Sequence, residues 1–100
     1  MNVELRDEAR EDLVNAATFY GEQSAGLDDY FLVCLREDLR KLESTGGIHE
    51  KHRGFYRALS DRFPYAIYYL LTEGIVDVVA VLDFRRNPVE LTNRLGQTRR

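Results

Sequence analysis

The sequence predicts an α+β fold in two layers: an N-terminal strand and an antiparallel β-meander packed against an α-helical hairpin, with a short helix at the C-terminus. Three observations predict it. Apolar residues recur at helical spacing through the first half of the 100-residue chain. Three segments rich in β-branched and aromatic residues follow one another after Arg53. The turns between those segments are too short for parallel crossovers, so the strands run antiparallel. A chain of this length has room for one core, and residues 1–100 are read as a single domain.

The elements follow in order. Asn2 to Arg6 alternates Val3 and Leu5 with polar neighbours, a short strand with one buried face. Asp7 stands where a helix N-cap is expected, and Glu8 and Glu11 suit the positive end of the helix dipole. Ala9, Leu13, Ala16, Ala17 and Tyr20 mark one apolar helical face that ends around Ser24–Gly26. A second helix starts near Leu27, with Leu27, Phe31, Cys34, Leu35, Leu39 and Leu42 as its apolar stripe, Cys34 being read as a small core residue. Glu37, Asp38, Arg40 and Lys41 are expected to solvate its other side, and Ser44–Gly47 to end it. So short a link between the two makes an antiparallel hairpin.

The strands are expected over Phe55–Ser60, Arg62–Thr72 and Ile75–Phe84, with turns at Ser60–Asp61 and Glu73–Gly74. In the second strand both alternating sets are apolar, which predicts a central position, with Pro64 near its start. Asn87–Pro88 is an N-cap followed by proline at the first helical position, opening a helix through Leu91 and Leu95. The tail Gly96–Arg100 is expected to fray.

Charge and composition narrow the function. The net charge is −3, but residues 1–45 hold 11 acidic and 5 basic side chains, whereas residues 46–100 hold 6 and 9. The acidic total argues against direct nucleic-acid binding, and the second half is where an anionic partner would be met. No apolar run is long enough for a membrane span, no export signal opens the chain, and one cysteine, Cys34, fits a reducing cytoplasm. His49 and His52 lie in a loop without a second ligand cluster, so neither a metal nor another cofactor is expected. No nucleophile elbow or glycine-rich phosphate loop is present.

What remains are the cations and phenols of the second half. Arg53, Arg57, Arg62, Tyr65, Arg85 and Arg86 are candidates for holding a target or partner. Metal-free RNA cleavage would need a base, an acid and cations for the charged transition state. Each type also has a plain structural use, since tyrosines favour strands and arginines keep strand ends wet.

The motifs YRAL (56–59), FPYAIYY (63–69) and VVAVLDFRRNP (78–88), with the helical A-x-x-D-L of Ala9–Leu13, resemble the ParE branch of the RelE/ParE toxin superfamily over nearly the whole chain. The resemblance implies a RelE/ParE-like fold. It also implies the toxin of a bacterial type II toxin–antitoxin system, silenced in a heteromeric complex by a cognate, ParD-like antitoxin. ParE-type members poison DNA gyrase, whereas RelE-type members are ribosome-dependent mRNA endonucleases. The nucleases carry an arginine after the tyrosine of the second meander strand, where Ala66 follows Tyr65 here. They carry a basic residue in the first meander strand and an arginine ending the last, matched by Arg57 and Arg85. They place a tyrosine about six residues further on, where Leu91 stands, or use a histidine, and none follows His52.

The resemblance therefore points to a gyrase-binding toxin. The alternatives are a RelE-like nuclease, for which the resemblance implies Arg57, Arg85 and His52 in a rearranged site, and an inactive antitoxin-binding module. Family antitoxins lay a segment that folds on binding along an apolar groove. That groove is expected where the hairpin meets the sheet, with Tyr20 and Tyr30 as candidate lining.

Overall fold

A computed structural model describes residues 1–98 of the chain. Five strands form one sheet in the order β1-β5-β4-β3-β2: β1 (Asn2–Leu5), β2 (Lys51–His52), β3 (Phe55–Leu59), β4 (Tyr65–Thr72) and β5 (Ile75–Asp83). Helices α1 (Asp7–Gln23) and α2 (Leu27–Thr45) make the hairpin, and α3 (Pro88–Gly96) follows the sheet. β2 to β5 are antiparallel, while β1 runs parallel to β5 with Val3 opposite Val76. β4 holds the central position its two apolar faces predict, and Tyr65 to Tyr69 are all buried.

The hairpin covers one face of the sheet. Ala9, Ala16, Ala17, Phe31, Leu35 and Leu42 pack there against Ile67, Tyr69, Val76, Val78 and Val81. Leu95 of α3 sits on the opposite face with Phe55, Ala66, Tyr68, Val79 and Ala80. One irregularity serves both layers. Tyr68 stands opposite Ala80 and Tyr69 opposite Val78, which leaves Val79 as the extra residue of a β-bulge. The bulge lets Val79 and Ala80 both turn to the α3 face while Val78 and Val81 stay with the hairpin.

Several expectations are corrected. Arg6, not Asp7, is the N-cap: it keeps the extended backbone of β1, and its guanidinium is drawn to Asp77 by hydrogen bonds of 3.1 and 2.8 Å. Asp7 and Glu8 occupy the first turn, where the dipole favours them. Asp38 is buried rather than solvated, because Ser60 Oγ donates to it at 2.6 Å. Cys34 is only half-buried. β4 begins at Tyr65, since residues 60–64 form a wide turn closed by Ser60 N–H on the Tyr65 carbonyl at 2.9 Å. His52 lies in a short strand, so the meander has four strands rather than three.

At the C-terminus Asn87 caps α3 as its type predicts, its side chain accepting from the Val89 N–H at 2.9 Å. Within the tail, Thr98 Oγ1 donates to the Arg94 carbonyl at 3.1 Å, while Arg99 and Arg100 lie outside the described residues. No helix among the described residues is long and apolar enough to cross a membrane.

Candidate functional site

Tyr20 closes the apolar stripe of α1, Phe31 is the first buried residue of α2, Phe63 lies in the wide turn and Tyr65 starts β4. The hairpin link and the turn stand at the same end of the molecule, so these four rings meet. Tyr20 stacks on Phe31 at 5.2 Å between centroids and meets Phe63 edge-on at 4.9 Å; Tyr65 lies 5.2 Å from Phe31 and 6.2 Å from Tyr20. Phe19 and Tyr30 extend the cluster on either side, at 5.2 Å from Tyr20 and 5.8 Å from Phe63. Pairs in these geometries contribute about 0.5–1.5 kcal/mol each beyond their buried area, so they help hold the hairpin end to the turn.

Charged groups rim the cluster. Asp83 ends β5 directly opposite Tyr65 and accepts from Arg85 three times: from Nε at 3.2 Å, Nη2 at 3.1 Å and the backbone N–H at 2.9 Å. Burial pushes the Asp83 carboxyl up, but the Arg85 hydrogen bonds outweigh it and hold the group below its ordinary value. Burial raises the Tyr20 and Tyr65 phenols, Asp83 adds to the effect, and Arg85 partly opposes it. Both therefore keep their protons at neutral pH.

Beside this rim, α1 and α3 stand apart over the end of β5 and leave a cleft of about 270 Å³, lined among others by Asn15, Phe19, Tyr65, Arg86, Leu91 and Arg94. Its inner wall is set by Asp12. Arg94 Nη1 and Nη2 donate to the Asp12 carboxylate at 2.7 and 2.8 Å, and the Val81 N–H donates at 2.9 Å. Val81 lies past the end of β1, so its N–H has no strand to pair with, and Asp12 takes the place of one.

Of the residues the sequence singles out, Tyr20, Tyr65, Arg85 and Arg86 come together here. Tyr30 lies alongside, its hydroxyl 3.3 Å from Arg62 Nη1. Arg57 does not join them: it is opposite Tyr68, on the α3 face, half-buried. His52 is exposed on β2, and Arg53 sits in the β2–β3 turn with φ 54°. Arg57 and Arg85 are thus turned to different faces of the sheet. Ala66 is fully buried on the α3 face with Leu95, and Leu91 lines the cleft. The other histidine, His49, is bound up with Tyr69: its Nδ1 lies 2.5 Å from the phenol oxygen, which also accepts the Gly47 N–H at 2.9 Å. No group of three or more His, Cys, Asp or Glu side chains that could hold a metal stands among the described residues.

Sequence reasoning does not find Asp12 and Arg94, whose pairing spans 82 residues and leaves no local pattern. It also misses Phe19, whose exposed ring on the helix flank is the one signal available.

No protein-family model matches the chain, and no curated protein does. Among solved structures, the chain is similar to one from the chromosomal ParDE TA system of P. aeruginosa. The TM-score is 0.67 at 12% sequence identity, over 81% of this chain and 92% of that one. At that identity the likeness is one of fold.

Proposed function

We propose that this chain is the toxin of a bacterial type II toxin–antitoxin pair, acting in the cytoplasm by binding and poisoning DNA gyrase and silenced by a ParD-like antitoxin. The observation that carries the reading is the fold shared with a chain of a ParDE TA system, which agrees with the resemblance of the strand motifs. The site geometry favours binding over cutting. A nuclease built on Arg57, Arg85 and His52 needs its cations to converge on one phosphate, as metal-free cleavage demands. Arg85 is instead spent on Asp83, on the face away from Arg57. The surface best suited to a protein partner is the aromatic and arginine rim with its adjoining cleft, where Tyr20, Tyr65, Arg85 and Arg86 meet.

Expression without the neighbouring gene's product tests the reading. Growth stops, the purified protein traps gyrase on cleaved DNA, and translating ribosomes keep their mRNA intact. Ribosome-dependent cutting that disappears in Arg85→Ala would replace this reading with the nuclease one. Unimpaired growth with stable antitoxin binding would leave an inactive binding module.

A further inference from the structure

The link from α2 to β2, residues 46–50, is tied to β4 through one hydroxyl. His49 Nδ1 lies 2.5 Å from Tyr69 Oη, and the same oxygen accepts the Gly47 N–H at 2.9 Å. Tyr69 is fully buried in the hairpin core, so its hydroxyl is out of reach of solvent. A phenol oxygen has one proton to give and lone pairs with which to accept. Gly47 supplies a donor, and the acceptor for the phenol proton among the described residues is His49 Nδ1. The geometry therefore fixes the tautomer: Nδ1 accepts, and the ring proton sits on Nε2.

A second proton on the ring reverses that contact. Nδ1–H can only donate, so the Tyr69 oxygen then faces two N–H donors and its own proton has no acceptor. A buried O–H without a partner is costly, and one side of the contact must give way. Tyr69 is held in the central strand, stacked on Tyr56 at 5.1 Å. The link is held far less: Ile48 is 74% exposed, and β2 pairs with β3 over two residues. The surrounding charges do not rescue the imidazolium. Lys51 of β2 stands 4.9 Å above the Tyr56 ring, the Met1 ammonium rests on the Glu43 carbonyl at the end of α2, and Glu50 follows His49 in the chain. Burial is what moves the imidazole, and it moves it down.

We propose that the His49–Tyr69 contact is a proton-operated clasp: the neutral imidazole, protonated on Nε2, holds residues 46–50 shut against β4, and a proton on Nδ1 releases them. The release loosens β2, the edge strand that carries His52 and leads into the turn at Arg53. Two amides report it directly. Gly47 N–H loses the phenol oxygen, and Arg57 N–H loses the Glu50 carbonyl that it meets at 3.0 Å. The sheet beneath keeps its pairing, so the opening is local. The device goes beyond the toxin reading and acts whatever the protein binds.

NMR of the full chain with isotope-labelled histidine rings tests it. At neutral pH the His49 ring is protonated on Nε2 and bare on Nδ1. As the pH falls through the His49 titration, exchange of the Gly47 and Arg57 amides, corrected for the intrinsic rate, rises by about tenfold. The amides of α1 and of Ile67 stay protected over that range. His49→Gln gives the Tyr69 O–H an acceptor that does not titrate, and in this variant the Gly47 and Arg57 amides stay protected as well. A ring protonated on Nδ1 at neutral pH overturns the inference without any variant. So do amides that ignore the His49 titration, a response that survives in His49→Gln, or loss of protection throughout the sheet at the same pH.

Discussion

Asp12 on α1 grips Arg94 on α3 through two hydrogen bonds, 2.7 and 2.8 Å long, and the same carboxylate receives the Val81 backbone N–H. One side chain thus ties a helix, a strand end and the C-terminal helix together. Asp12→Ala leaves a peptide N–H and a guanidinium only 27% exposed without their acceptor. The expected loss is about 2–4 kcal/mol by chemical denaturation. Asp12→Asn keeps an acceptor for Val81 and loses about half as much. The double variant Asp12→Ala/Arg94→Ala loses clearly less than the sum of the singles, since the two residues act as one unit.

Leu95 is the buried side chain by which α3 rests on the sheet, against Phe55, Ala66, Tyr68, Val79 and Ala80. Leu95→Ala removes that anchor and opens a cavity over Ala66 and Tyr68, at a cost of about 2–4 kcal/mol. Amide hydrogen exchange in α3 should accelerate more than in α1 or α2. Uniform acceleration across all three helices would show that α3 does not detach separately.

The burial of His49 beside Tyr69 makes stability depend on pH. Burial holds the His49 imidazole below its ordinary value of 6.5. The unfolded chain then takes up the proton at a higher pH than the folded one. The contribution is complete above pH 6.5 and is lost as pH falls from there toward the depressed folded value. Urea titrations between pH 7.5 and 5, above the range where carboxylates protonate, should show stability falling with acidification. The slope flattens in His49→Gln.

Gly46 ends α2 because nothing larger fits. A Cβ there would stand 2.8 Å from Val76 Cγ2, a fully buried methyl, and 3.1 Å from the Leu42 carbonyl oxygen. Its φ of −54° is open to any residue, so the restriction is packing rather than backbone. Gly46→Ala pushes the end of α2 from β5 and costs about 1–3 kcal/mol. Adding Val76→Ala returns part of that loss, a non-additivity readable from the two denaturation midpoints.

Much of the fold is legible locally. The stripe from Ala9 to Tyr20, the stripe from Phe31 to Leu42, the doubly apolar β4 and the Asn87–Pro88 cap each carry their structure in a short window. The corrections come where a distant partner decides. Asp38 is coded like its charged neighbours and is buried only because Ser60 reaches it from the β3–β4 turn. The bulge at Val79 follows from a strand that must feed two cores, a demand no period-two pattern expresses. The site behaves in the same way. Tyr20, Tyr65, Arg85 and Arg86 stand out by residue type, but their meeting depends on the turn at Phe63, and the cleft wall depends on Asp12 and Arg94.

The parallel seat of β1 beside β5 bears on how the chain is made. Residues 2–5 are synthesised long before the strand they pair with, which spans residues 75–83. Such a pairing closes a long loop and forms late. The hairpin can assemble during synthesis, but β1 has no strand to sit beside until β5 has been made. A prematurely released fragment would therefore expose the apolar stripe of the hairpin and be open to degradation. The cleft itself, lined by α1, β5 and α3, cannot form before α3 has been made.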